Sequence, residues 1–303
     1  MSRLRLAFII GSLLALIETA NAESVWDSCP TPTEIDLLEL ADSVDAITVG
    51  ERHGTTEMPA AFADIVEQVA VEGRRVTVAL EYPRGKQAFL DSVMDAEIEE
   101  VAADLLAEYR IGDGRTSEAM QDMVLSLRRL KQSGAMIDVA AVDFWSFYHP
   151  DDNGSVPDWI PSYIKPENTL RDVRMGQGAV SACERYECDL LLYFAGGLHT
   201  GLKVIESGML DMRTGEVDEF DVVSAGRVIS ESMDTAAISL VHRGGTSRAI
   251  VDTGPGVQTL APNAPDYVVR DFVPYCLSKS KTNHTHIMSV GTVTGSLDTY
   301  EPD

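Results

Sequence analysis

Four short apolar runs in the first two thirds of the chain constrain its fold more than any other feature. Residues 46–49, 76–80, 137–142 and 190–195 are rich in β-branched or small apolar side chains, and each is the length of one buried strand. Helical spacing fills the gaps between them. Phe62, Ile65, Val66 and Val69 recur at three- and four-residue intervals, with Thr55 or Thr56 to cap the helix and Gly73 to stop it. Residues 87–109 read as a long acidic helical stretch that could divide in two. Residues 118–131 read as a helix capped by Ser117 and ended at Gly134, and 168–187 as a fourth helical region weakened by Gly176 and Gly178. Strand–helix alternation of this kind predicts an α/β fold: a mostly parallel sheet flanked by helices on both faces, with right-handed crossovers. After Gly208 the pattern loosens into an irregular C-terminal extension. There 236–242 and 248–251 read as a strand pair around Arg243-Gly244-Gly245.

The ends of the chain read differently from its middle. Arg3 and Arg5, an apolar run over 6–17 and the small residues Ala20-Asn21-Ala22 have the order of a secretory signal, which predicts a secreted or periplasmic protein. With 1–22 set aside, residues 23–278 form one expected domain, and 279–303 read as a polar, flexible tail. No later apolar run is long enough to span a membrane. A formal net charge of −24 repels phosphate backbones and disfavours nucleic acid as a partner. Four cysteines in an exported chain predict disulfides in one of three connectivities, with free buried thiols as the alternative: Cys183 and Cys188 are close enough for a local bridge, which would leave Cys29 for Cys276. Residues 149–166, with four prolines, form an irregular excursion whose Trp159 and Tyr163 suit a loop over a site or a filled surface groove.

Each predicted strand delivers an ionisable residue at its carboxyl end. Glu51 and His53, in Gly50-Glu51-Arg52-His53-Gly54, follow the first; Glu81 ends the second; Asp143 ends the third; and His199, in Gly196-Gly197-Leu198-His199, follows the fourth. A parallel sheet brings all of them to the edge where open α/β sheets bind ligands. A histidine beside carboxylates is held in one tautomer with raised basicity, which suits it to deprotonate water. Two histidines and two glutamates could equally hold a divalent metal through His53, His199, Glu51 and Glu81. Gly50 and Gly197 would let backbone approach a ligand closely. Arg115 and Ser117 precede the helix that leads to the third strand. There Arg115 could clamp a carboxylate or phosphate, or balance the acidic surface. Arg171 and Asp172 could be site members or a structural ion pair, and Glu81 could pair with Arg84. The remaining histidines, 149, 242, 284 and 286, lack supporting carboxylate spacing, and Gly-x-Ser-x-Gly, P-loop and His-Glu-x-x-His motifs are absent.

The motif Gly50-Glu51-x-His53-Gly54-Thr55-x-Glu57-x-Pro59, followed by Ala79-Leu80-Glu81, resembles the superfamily of erythromycin esterases, ChaN-like haem-uptake proteins and Tiki-type proteases. Arg171-Asp172-x-x-Met175 and Gly196–His199 resemble its second half, and 112–120 resembles exported ChaN-like proteins of bacteria. The likeness covers roughly residues 45–205. The esterase relatives imply His53 as general base on an ester, with Glu51 and Glu81 orienting it and His199 completing the pocket. Glu57, Arg115, Ser117, Asp143 and Arg171 are further candidates to bind the substrate or ligand. The Tiki relatives imply a divalent metal and peptide hydrolysis. The ChaN relatives imply haem and no reaction, with a tyrosine ligand that Tyr82 could supply. Gly197 stands where many relatives carry asparagine. The expectation is therefore a hydrolase acting on a small-molecule or peptide ester or amide, with a haem- or metal-binding envelope protein as the alternative.

Overall fold

The computed structural model describes residues 36–109, 114–144, 157–160, 169–210, 217–251, 254–263 and 283–297. In chain order the elements are α1 (Leu37–Asp42), β1 (Ala46–Glu51), α2 (Glu57–Val69), β2 (Arg75–Pro83), α3 (Gln87–Met94), α4 (Glu99–Glu108), α5 (Glu118–Gln132), β3 (Met136–Asp143), α6 (Leu170–Tyr186) and β4 (Leu190–Gly196). They continue with α7 (Gly197–Thr200), β5 (Val204–Leu210), β6 (Val217–Val223), α8 (Ala225–Ser230), β7 (Thr235–Val241), β8 (Gly245–Val251), β9 (Gly254–Leu260) and β10 (His286–Ser289). Six strands form one parallel sheet in the order β10-β7-β1-β4-β2-β3.

Alternation along the strands sorts side chains onto two faces. Ile47, Val49, Val78, Leu80, Ile137, Val139, Leu192 and Phe194 pack beneath α1 to α5, where the rings of Phe62 and Phe194 stack 4.2 Å apart. Each such side chain taken fully from water stabilises the fold by roughly 1.5–3 kcal/mol. The opposite face carries smaller residues, among them Ala46, Ala79, Ala140 and Ala195, and these admit α6 and α8 through Met175, Ala179, Ala182, Ala225 and Ile229. Helices therefore cover both faces, as the alternation predicts. The stretch 87–109 does divide, into α3 and α4. Thr56 and Ser117 occupy the cap positions of α2 and α5, but neither side chain makes the capping hydrogen bond. Cys183 and Cys188 form a disulfide across the end of α6. Residues 1–22, Cys29, Cys276, His149 and Tyr163 lie outside the described residues.

Two expectations about the C-terminal third need correction. β7 and β8 do not pair with each other: β7 adds to the main sheet beside β1, while β8 forms an antiparallel ribbon with β9. Nor is 279–303 a flexible tail over its described part. β10 forms the outer edge beside β7, and Ile287, Met288, Val290 and Val293 are buried. The polar composition around those four residues hid a short edge strand, which needs apolar contact on one side only.

A chain ended before Asn283 loses those four buried side chains and uncovers the edge of β7. Urea denaturation of that truncated chain is expected to show a midpoint well below that of the full chain. An unchanged midpoint would contradict the assignment of β10 to the sheet.

Candidate active site

The sheet order sets β1, β4, β2 and β3 side by side, so the carboxyl ends of the four sequence-predicted strands are contiguous. Glu51 registers with Gly196 at the last paired position of β1 and β4. Between β2 and β3 the register shifts, with Leu80 opposite Ala141 but Pro83 opposite Asp143, so the Glu81–Tyr82 step is a bulge. Such irregularities re-aim a side chain where a strand ends, and Glu81 turns across β4. There its Oε2 accepts from the Gly196 amide at 2.9 Å. The loop carrying His53 turns at Gly54, whose φ of +74° favours glycine and where an added Cβ would lie 1.6 Å from the Arg248 carbonyl oxygen. The Gly54 carbonyl accepts from the amides of Arg248 and Ser296, so β8 and the segment after β10 hold this loop in place.

These placements put the His53 ring between two carboxylates. Nδ1 lies 2.7 Å from Glu51 Oε1, and Nε2 lies 3.3 Å from Glu81 Oε2. Both glutamates are buried, whereas the His53 side chain keeps 27% of its surface exposed. Burial alone would lower the proton affinity of the ring. The charges of Glu81 and Glu51 outweigh it and raise the pKa from 6.5 to about 10. Glu81 is buried too, which would push its pKa up, but His53, His199 and Arg115 together hold it well below the usual carboxylate range.

A second layer of charge balances the first. Glu81 Oε1 accepts from Arg171 at 2.7 Å and from Arg115 at 3.0 Å. The same two guanidinium groups reach Asp143, Arg171 through Nε at 2.8 Å and Arg115 at 3.1 Å. His199 directs Nδ1 to Asp172 at 2.8 Å and Nε2 toward Glu81 Oε1 at 3.8 Å and Arg171 at 3.4 Å. Burial would lower the pKa of His199, but Asp172 and Glu81 leave it raised. Asp172 in turn accepts from the Ala225 amide at 3.0 Å, which ties the site to α8.

Of the residues named from sequence, Glu51, His53, Glu81, Asp143, Arg115, Arg171 and His199 therefore converge. Arg171 and Asp172 are not paired with each other, since successive helix positions point apart and each serves a different partner. Glu81 pairs with Arg115 and Arg171 rather than with Arg84. Glu57 stands apart, its carboxylate bonded to the amide and hydroxyl of Thr294. Ser117 is buried and its hydroxyl has no hydrogen-bond partner among the described residues. Gly50 is needed, because a Cβ there would meet Thr200 Oγ1 at 2.3 Å. Gly197 has room for one, its nearest neighbour being 3.6 Å away, while at Gly196 a Cβ would come within 3.0 Å of His53 Nε2. Sequence reasoning named Asp172 as a possible site member without giving it His199 as its partner, and it missed His284, whose Nε2 lies 2.8 Å from Thr200 Oγ1 beside the site.

The donors do not fit a divalent ion. Both oxygens of Glu81 already accept hydrogen bonds, two guanidinium groups stand among the carboxylates, and His199 faces Arg171. Among the described residues no three His, Cys, Asp or Glu side chains are disposed to hold a metal. Nor does Tyr82 offer an oxygen to haem, being 1% exposed with its ring tilted against Tyr109 at 5.8 Å.

No family model matches the chain, and no curated protein sequence does. Solved structures match over most of its length. A protein from Bacillus cereus is 10% identical, covers 91% of this chain and 98% of its own, and superposes with a TM-score of 0.56. The erythromycin esterase EreC in its open conformation is 11% identical over 86% of this chain and 93% of its own, again at 0.56. The chain has the erythromycin esterase fold. A succinoglycan biosynthesis protein shares it, at 11% identity, 90% and 97% coverage and a TM-score of 0.55. At these identities the erythromycin esterase likeness fixes architecture alone.

His53 is more basic folded than unfolded. Its ion pairs therefore stabilise the fold fully below pH 6.5, and that contribution is lost as the pH rises toward about 10. Glu81→Gln removes one of the two carboxylates and leaves buried guanidinium groups without it, at an expected cost of about 3–5 kcal/mol at neutral pH. Denaturant titrations at several pH values are expected to show the wild type losing stability between pH 6.5 and 10 and the variant losing less. Equal midpoints for the two proteins would contradict the ion-pair assignment.

Proposed function

We propose that this chain is an exported hydrolase of an ester or amide bond with His53 as its general base. One observation carries the reading: a part-exposed imidazole clamped between two buried carboxylates at the open edge of the sheet. Glu51 holds Nδ1–H and fixes the ring, so Nε2 is the atom that exchanges protons with a water entering from the exposed side. The neutral ring takes a proton from that water as it attacks the carbonyl carbon. Glu81 steadies the imidazolium that results, and the proton then passes to the leaving group. Arg171, a third exposed, and His199 supply positive charge and donors for the oxyanion. EreC is a precedent for an esterase on this fold. The signal-like N-terminus and the Cys183–Cys188 bridge support export.

Because the two carboxylates make His53 hold its proton tightly, the neutral, reactive ring becomes more abundant as the pH rises. Hydrolysis of a chromogenic ester such as 4-nitrophenyl butyrate is expected to show kcat/KM climbing through the alkaline range toward the His53 pKa of about 10. His53→Ala is expected to lower it by about 10²–10⁴-fold while circular dichroism shows the fold retained. A folded His53→Ala protein with full activity would contradict the assignment.

A further inference from the structure

A cavity of about 320 Å³ opens beside the candidate active site, between the ends of β1 and β7 and the C-terminal end of β9. Glu51 and Gly197 are shared between the two, so a molecule lying against His53 can extend into it. Its remaining wall combines Arg52, Ser239, His242 and Asn263 with the apolar Leu240 and Leu260.

The polar groups of this wall are predominantly donors. His242 Nδ1 accepts from the Gly244 amide, which leaves the ring proton on Nε2, and Nε2 has no hydrogen-bond partner among the described residues. Asn263 spends its carbonyl oxygen on the His242 amide and keeps its NH2 group for a ligand. The Arg52 guanidinium has no ion-pair partner among the described residues, and it stands near enough to His242 for its charge to lower that ring's proton affinity, burial being the larger cause. Glu51, the one carboxylate of the wall, gives Oε1 to the His53 ring, while its buried Oε2 has no hydrogen-bond partner among the described residues. An uncommitted cation therefore sits one residue from the proposed base, on a chain of net charge −24.

We infer that this cavity recognises a carboxylate on the substrate, with Arg52 as its specificity-determining residue and His242 and Asn263 as neutral donors. The inference rests on the hydrolase reading for its reaction and names the substrate class: an acidic ester or amide whose carboxylate lies a short aliphatic spacer from the scissile carbonyl. The cavity volume is at the small end for ligand sites, which suits such a spacer and not a large scaffold.

Two measurements test it separately from the chemistry. The first compares kcat/KM for 4-nitrophenyl hemisuccinate and 4-nitrophenyl butyrate, which differ chiefly in the terminal carboxylate. A charge-assisted contact predicts that the wild type prefers the hemisuccinate by about ten- to a hundredfold, mainly through KM. Arg52→Ala is expected to bring that ratio near one, and Arg52→Lys to keep part of it. The second titrates free succinate into wild type and Arg52→Ala by calorimetry, with binding expected only in the wild type. If succinate binds in this Arg52-dependent way while neither ester is hydrolysed, the cavity assignment stands and the hydrolase reading falls. A wild-type ratio near one, a ratio unchanged in Arg52→Ala, or no succinate binding by the wild type overturns the inference.

Discussion

Two buried carboxylates can flank one imidazole only if their charge is compensated close by, and that constraint organises this end of the molecule. Glu51 and Glu81 raise the proton affinity of His53, and the positive charge of the protonated ring offsets part of theirs in return. Glu81 could not remain ionised in a buried position on that account alone. Arg115 and Arg171 complete the balance and carry Asp143 with them as a second anion. Removing water from such a set costs several kcal/mol per ion, which good geometry and full hydrogen bonding must offset. The apolar sheet and its helices supply that stabilisation.

The cluster depends on segments far apart in the chain. Four parallel strands deliver its acids and histidines, yet the loop bearing His53 is fixed from outside those strands. The Gly54 carbonyl is held by Arg248 and Ser296, and Thr55 bridges to Gly295. Asp172 reaches the amide of Ala225, so α8 orients the partner of His199. The C-terminal third is thus part of the site's frame, and β7 supplies a wall of the adjoining cavity.

Much of this was legible in the sequence because burial on both faces produces unbroken apolar runs, and a polar residue ending such a run has only the sheet edge to occupy. That reasoning placed Glu51, Glu81, Asp143 and His199 together. It failed where position depends on contacts rather than on period. The partner of Arg171 could not be read from its neighbour Asp172, because adjacent helix positions face different ways. Glu57 lies within the recognisable motif yet anchors Thr294, a pairing across most of the chain. β10 is four residues long in a polar setting, and no local pattern marks it. Gly196, rather than Gly197, proves to be the position where a Cβ would crowd the His53 ring, and only the distances reveal that.

Nitrogen-15 chemical shifts of the His53 ring, recorded at neutral pH on uniformly labelled protein and assigned by comparison with a His53 variant, test the clamp most directly. Because both carboxylates face ring nitrogens, Nδ1 and Nε2 should each carry a proton and resonate as an imidazolium. A neutral ring, with one nitrogen showing the shift of a bare lone pair, would mean that Glu51 and Glu81 do not grip His53 from both sides.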